Sequence, residues 1–100
     1  MPYHRLRDML RTPTPDGTEI AKLDVGNLEI TYERVKPNAM GMERSEDRAQ
    51  IVYILSGSMD MTVDGEQRNV RAGDVWLIPA GAPTGFQASD VECIRLIILG

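Results

Sequence analysis

The sequence contains one histidine, one cysteine and no cluster of basic residues, and each scarcity removes a class of chemistry. A lone Cys93 can form no intrachain disulfide. It sits in the apolar segment Val91 to Leu99 with no histidine near it in sequence, so a buried structural thiol is expected rather than a nucleophile. His4 would be the natural general base if it lay in a pocket, but its place near the first residue predicts an exposed, idle imidazole. A net charge of −4 leaves no concentrated positive surface for phosphates, so no nucleic-acid partner is expected. No apolar run approaches the roughly 18 residues that span a bilayer. With no signal-peptide pattern at the start either, the expectation is a cytoplasmic protein without a membrane partner. There is no Gly-x-Ser-x-Gly elbow, phosphate-binding glycine loop, dinucleotide fingerprint or Cys-x-x-Cys, which removes the common hydrolase and nucleotide chemistries.

What is present is strand and turn. One hundred residues, 42% hydrophobic and 26% charged, suit one folded domain. Residues 1–17 read as an N-terminal arm. Tyr3, Leu6, Met9 and Leu10 are spaced as one face of a short helix, and Pro13 and Pro15 then impose an extended loop through Gly17. The barrel domain is residues 18–100. Thr18 to Leu23 and Leu28 to Val35 alternate apolar with polar and predict two antiparallel strands joined by a turn at Asp24 to Asn27. Met40-Gly41-Met42 opens a shorter strand into the alternating charges of Glu43 to Arg48. From Gln50 to Phe86 apolar blocks are closed by Ser56-Gly57-Ser58, by the hairpin pair Asp64-Gly65, by Ala72-Gly73-Asp74 and by Pro79-Ala80-Gly81. The segments Ile51 to Leu55 and Val91 to Leu99 are apolar on both faces and need cover on both.

These turns carry a resemblance to the cupin superfamily of RmlC-like proteins. Gly73, Pro79 and Gly81 stand at the spacing of its second motif, and Gln50 precedes Gly57 as the metal-binding glutamate precedes the closing glycine of its first. The resemblance implies an all-β, jelly-roll barrel of the double-stranded β-helix type, with about eight antiparallel strands and little helix. It also implies a homodimer, since small cupins commonly pair through outer sheet faces or exchanged terminal strands.

Typical cupins hold a metal through three histidines and a glutamate, and the resemblance carries those positions onto Arg44, Glu46, Gln50 and Thr84, none of which is histidine. Two neutral side chains and a cation among the four make a poor donor set for a divalent ion, so no metal and no other cofactor is expected. The resemblance implies that Gln50 and Thr84 project into the barrel, with Phe86 beside Thr84 and Arg44 or Glu46 near the mouth. Met40, Met42, Met59 and Met61 are by default fillers of the core. Met59 and Met61, two apart on one strand, share an inward face and are alternatively an adaptable lining for an apolar ligand. Arg44, Gln50, Met59, Met61, Thr84 and Phe86 are thus the candidate ligand-binding residues and Glu46 the candidate catalytic one. Three functions follow: a metal-independent cupin binding a small organic molecule; an isomerase, cyclase or lyase using Glu46 as acid or base, with Arg44 and Tyr53 or Thr84 in support; and a closed barrel with a structural or interaction role.

Overall fold

A computed structural model describes residues 3–100. The chain forms ten strands: β1 (Thr12–Pro13), β2 (Thr18–Val25), β3 (Leu28–Val35), β4 (Met40–Ser45), β5 (Gln50–Ser56), β6 (Ser58–Val63), β7 (Glu66–Arg71), β8 (Val75–Ile78), β9 (Pro83–Ala88) and β10 (Cys93–Leu99). All pairings are antiparallel, in one sheet of order β1-β2-β3-β10-β5-β8 and a second of order β4-β9-β6-β7. Eight strands, β3 to β10, make the two four-stranded faces of a jelly roll, and β1 and β2 extend the first face beyond β3. The expected fold class and strand periodicity are therefore present. The short helix expected in the arm is a single 3-10 turn at Leu6–Asp8. Among the described residues no helix is long and apolar enough to cross a membrane.

The turns do two different jobs. Asp64 and Gly65, with φ of 49° and 82°, close a two-residue hairpin between β6 and β7, since positive φ at both central residues matches the right-handed twist of the strands. Gly57 instead carries the chain from one sheet to the other. Its φ is 77°, and a Cβ there would stand 2.1 Å from the carbonyl oxygen of Glu92, so the corner needs glycine for both conformation and clearance.

Alternation along the strands divides the interior into two zones. At one end Val35, Val52, Ile54, Met59, Met61, Val63, Val70, Ile78, Ala88 and Cys93 pack into an apolar core. At the other end the inward positions of the same strands turn polar: Glu29, Thr31 and Glu33 on β3, Arg95 on β10 and Gln50 on β5. The filled end holds the fold together by apolar burial, at roughly 1.5–3 kcal/mol per large side chain. The polar end is left open.

Candidate functional site

The open end encloses a cavity of about 410 Å³. One wall is the inner face of the larger sheet, with Thr18, Ile20 and Lys22 from β2, Glu29, Thr31 and Glu33 from β3, Arg95, Ile97 and Leu99 from β10, and Gln50 from β5. The other wall comes from β4 and β9, with Met42, Arg44, Thr84 and Phe86, and Thr14 to Asp16 of the arm complete the rim. The arm is thus part of the cavity, anchored by the β1–β2 pairing, by a 2.6 Å hydrogen bond between the Thr14 and Thr18 hydroxyls and by the ion pair of Asp16 with Arg44. A bulge in β4, where the register jumps between Gly41↔Phe86 and Arg44↔Thr84, brings Arg44 opposite Thr84.

Glu33 and Arg95 form the floor. They are Cα partners across β3 and β10, one layer above the Val35↔Cys93 pair of the apolar core. The Arg95 Nε donates to Glu33 Oε1, the guanidinium carbon lies 4.9 Å from the centre of the Phe86 ring, and Nη1 sits 3.9 Å from the sulfur of Met59 and 3.7 Å from that of Met61. Ion pair, aromatic face and two polarisable sulfurs together fix the guanidinium in one place. Thr31, Glu33, Gln50 and Arg95 are each at least nine-tenths buried. Among the described residues, no protein partner accepts from Arg95 Nη2 or bonds the Gln50 amide, the Thr31 hydroxyl or Glu33 Oε2. Because no polar side-chain atom there is both sealed and unpaired, these free groups open onto the cavity.

The carboxylates at the mouth are held differently. Hydrogen bonding from Lys22, helped by Arg48, keeps the Glu29 carboxyl below the usual carboxylate range. Glu46 is exposed at the rim, where its backbone carbonyl accepts from Gly81 N at 2.6 Å.

Gln50, Thr84, Phe86, Arg44 and Glu46 all line the one cavity, as the resemblance placed them. Met59 and Met61 do not. They belong to the apolar core, because the Arg95 side chain reaches over their sulfurs and stands between them and the cavity. Met40 and Met42 are exposed rather than core-filling, Met42 at the mouth, because the β4 bulge lies at the sheet edge. Tyr53 lies on the outer face of β5, away from the cavity, since only Gln50, Val52 and Ile54 of that strand point inward. His4 is exposed outside the cavity, and Cys93 is fully buried, with burial raising its thiol above the ordinary value. Sequence reasoning missed Glu33 and Arg95. The available signal was period two: Leu99, Ile97, Arg95 and Cys93 share a face, and so do Val35, Glu33, Thr31 and Glu29.

The four positions that would hold a cupin metal do not suit one. Arg44 is a cation paired with Asp16, Glu46 is exposed, and Gln50 and Thr84 are neutral. Among the described residues no three histidine, cysteine, aspartate or glutamate side chains gather around a common point.

Solved structures share this architecture. An RmlC-like cupin from Shewanella frigidimarina superposes with a TM-score of 0.87 at 17% identity, covering 97% of this chain and 87% of that one. The polyketide cyclase RemF from Streptomyces resistomycificus gives 0.88 at 22% identity over 99% and 78% of the two chains, and KdgF from a Halomonas species gives 0.89 at 17% over 99% and 92%. No curated protein matches the sequence. The family model described as "Cupin domain" matches residues 31–99, from the polar run of β3 to the last inward leucine of β10, and the chain therefore belongs to the cupin family.

Proposed function

We propose that this cupin binds a small organic molecule inside its barrel through directed polar groups and without a metal. One observation carries the reading: all five buried polar or charged side chains among the described residues, Thr18, Thr31, Glu33, Gln50 and Arg95, line the same cavity. The free donors and acceptors among them reach the cavity, so a ligand that covers them must match their hydrogen bonds or lose about 1–3 kcal/mol for each one left unpaired. The closed-barrel alternative has no account of this gathering. A thermal-shift screen of small acids, phenols, ketones, hydroxyketones and lactams tests the proposal: hits are expected, and Gln50→Leu should diminish them. A screen without a single shift in the unaltered protein would overturn the binding reading.

An enzymatic reading has support of its own, because a polyketide cyclase and an oxalate decarboxylase use the same fold. If this chain turns a substrate over, the interior carboxylate Glu33 is better placed for acid or base work than the exposed Glu46. Loss of turnover in Glu46→Gln with full activity in Glu33→Gln would reverse that assignment.

We also propose a homodimer through the outer face of the larger sheet. There Ile51 and Tyr53 of β5 lie between Ile98 and Leu96 of β10 and Leu77 and Val75 of β8, giving an apolar surface three strands wide. A second copy of this face is the self-complementary cover for it.

A further inference from the structure

We infer that Glu33 and Arg95 together form the recognition group of the cavity, and that they select a neutral carbonyl compound carrying a hydrogen-bond donor on the adjoining atom, such as a lactam or an α-hydroxyketone. The inference rests on the binding reading above and names the ligand class.

The pair is held so that it offers one donor and one acceptor. Arg95 spends Nε on Glu33 Oε1 and turns Nη1 towards the sulfurs of Met59 and Met61, while Phe86 covers one face of the guanidinium. Nη2 is the donor left for a ligand, and Glu33 Oε2 is the acceptor left beside it, both opening onto the cavity. A carbonyl oxygen can accept from Nη2 while an N–H or O–H on the next atom donates to Oε2. Gln50 and Thr31 supply further hydrogen bonds, and Ile20, Ile97 and Leu99 offer an apolar wall for the rest of the molecule.

Charge decides between ligand classes. Glu33 and Arg95 already neutralise each other, and both are at least nine-tenths buried, so the floor has no net charge to give to an ion. A carboxylate ligand would put a second anion beside Glu33 to share one guanidinium, with little water to separate them; an ammonium would face Arg95 in the same way. The neutral donor and acceptor of a lactam meet no such penalty. They pair both free atoms at once, which a simple ketone cannot do.

Calorimetric titration with three probes tests this: oxindole, which carries the adjoining carbonyl and N–H; N-methyloxindole, which lacks the donor; and benzoate, which is anionic. Oxindole should bind, and N-methyloxindole at least about tenfold more weakly, because Glu33 Oε2 would be covered without a partner. Benzoate should also bind more weakly than oxindole. In the double variant Glu33→Leu, Arg95→Met, which replaces the ion pair by two apolar side chains and whose folding is checked by its melting transition, the preference for oxindole over its N-methyl derivative should vanish. Equal binding of the two oxindoles to the unaltered protein, tighter binding of benzoate, or a preference that survives in the folded double variant would each overturn the inference. The first comparison needs no variant and so does not depend on one folding. If none of the probes binds while other compounds still give Gln50-dependent thermal shifts, the inference fails and the binding reading stands.

Discussion

Glu33 and Arg95 are neighbours across a single rung of the β3–β10 ladder although 62 residues separate them in the chain, and their charged ends meet inside the barrel. Arg95→Met alone strands a buried carboxylate and should cost about 3–5 kcal/mol in urea unfolding. Adding Glu33→Leu should recover most of that loss, because two apolar side chains against Met59, Met61 and Phe86 need no counter-charge. A double variant no more stable than the single one would show that the pair is not the source of the effect.

Gly41 sets the position of the Phe86 ring. A Cβ at residue 41 would come within 2.1 Å of Phe86 Cε1, so Gly41→Ala must push the ring out of its stack over Arg95. Overpacking of this kind costs about 1–3 kcal/mol. Chemical denaturation should show a loss in that range, accompanied by weaker ligand binding, whereas Gly65→Ala, at a hairpin with open space around it, should leave binding unchanged.

Cys93 should resist alkylation in the folded protein. Burial raises its thiol, opposed in part by Arg95, so the native state holds this proton more tightly than the unfolded chain does. The resulting stability is complete below the ordinary thiol range and is lost as pH rises through the raised value. Iodoacetamide labelling followed by mass spectrometry should be slow at neutral pH and become rapid only in denaturant.

Acid should loosen the mouth before it affects the core. The Glu29 carboxyl is lowered by hydrogen bonding from Lys22, opposed by desolvation and reinforced by Arg48. A lowered folded value means that stability is present above the ordinary carboxylate range and is lost as pH falls through the lowered value. Glu29→Gln should flatten the acid side of a melting-temperature profile, and an unchanged profile would count against the assignment. The effect should be small, since this network reaches solvent.

The dimer proposal has a direct readout. Light scattering should give twice the chain mass, and Tyr53→Lys with Leu77→Lys, at two positions facing outward on β5 and β8, should return the monomer with the cavity intact. A monomer before substitution would remove the proposal.

Local sequence was enough to locate the strands, the turns and the residues that share a face. β-Branched alternation marks β2 and β3, Asp64-Gly65 defines a hairpin, and the spacings of Gly57, Gly73, Pro79 and Gly81 marked the family. These are local properties, set by backbone sterics and by a side-chain period of two. The placement of Gln50, Thr84 and Phe86 on one cavity was legible through the family spacing. Met59 and Met61 share an inward face as expected, but of the two readings offered for them the structure places them in the core, because Arg95 from a distant strand covers their sulfurs. That cover depends on the long-range pairing of β10 with β3. The β10 register puts Arg95 opposite Glu33 and above Cys93, and the β4 bulge sets Arg44 across from Thr84. The division between filled core and open cavity therefore passes just below the buried ion pair. In the sequence Glu33 and Arg95 look like interruptions of apolar strands; they become one site only when strands far apart in the chain are hydrogen-bonded side by side, which no local pattern records.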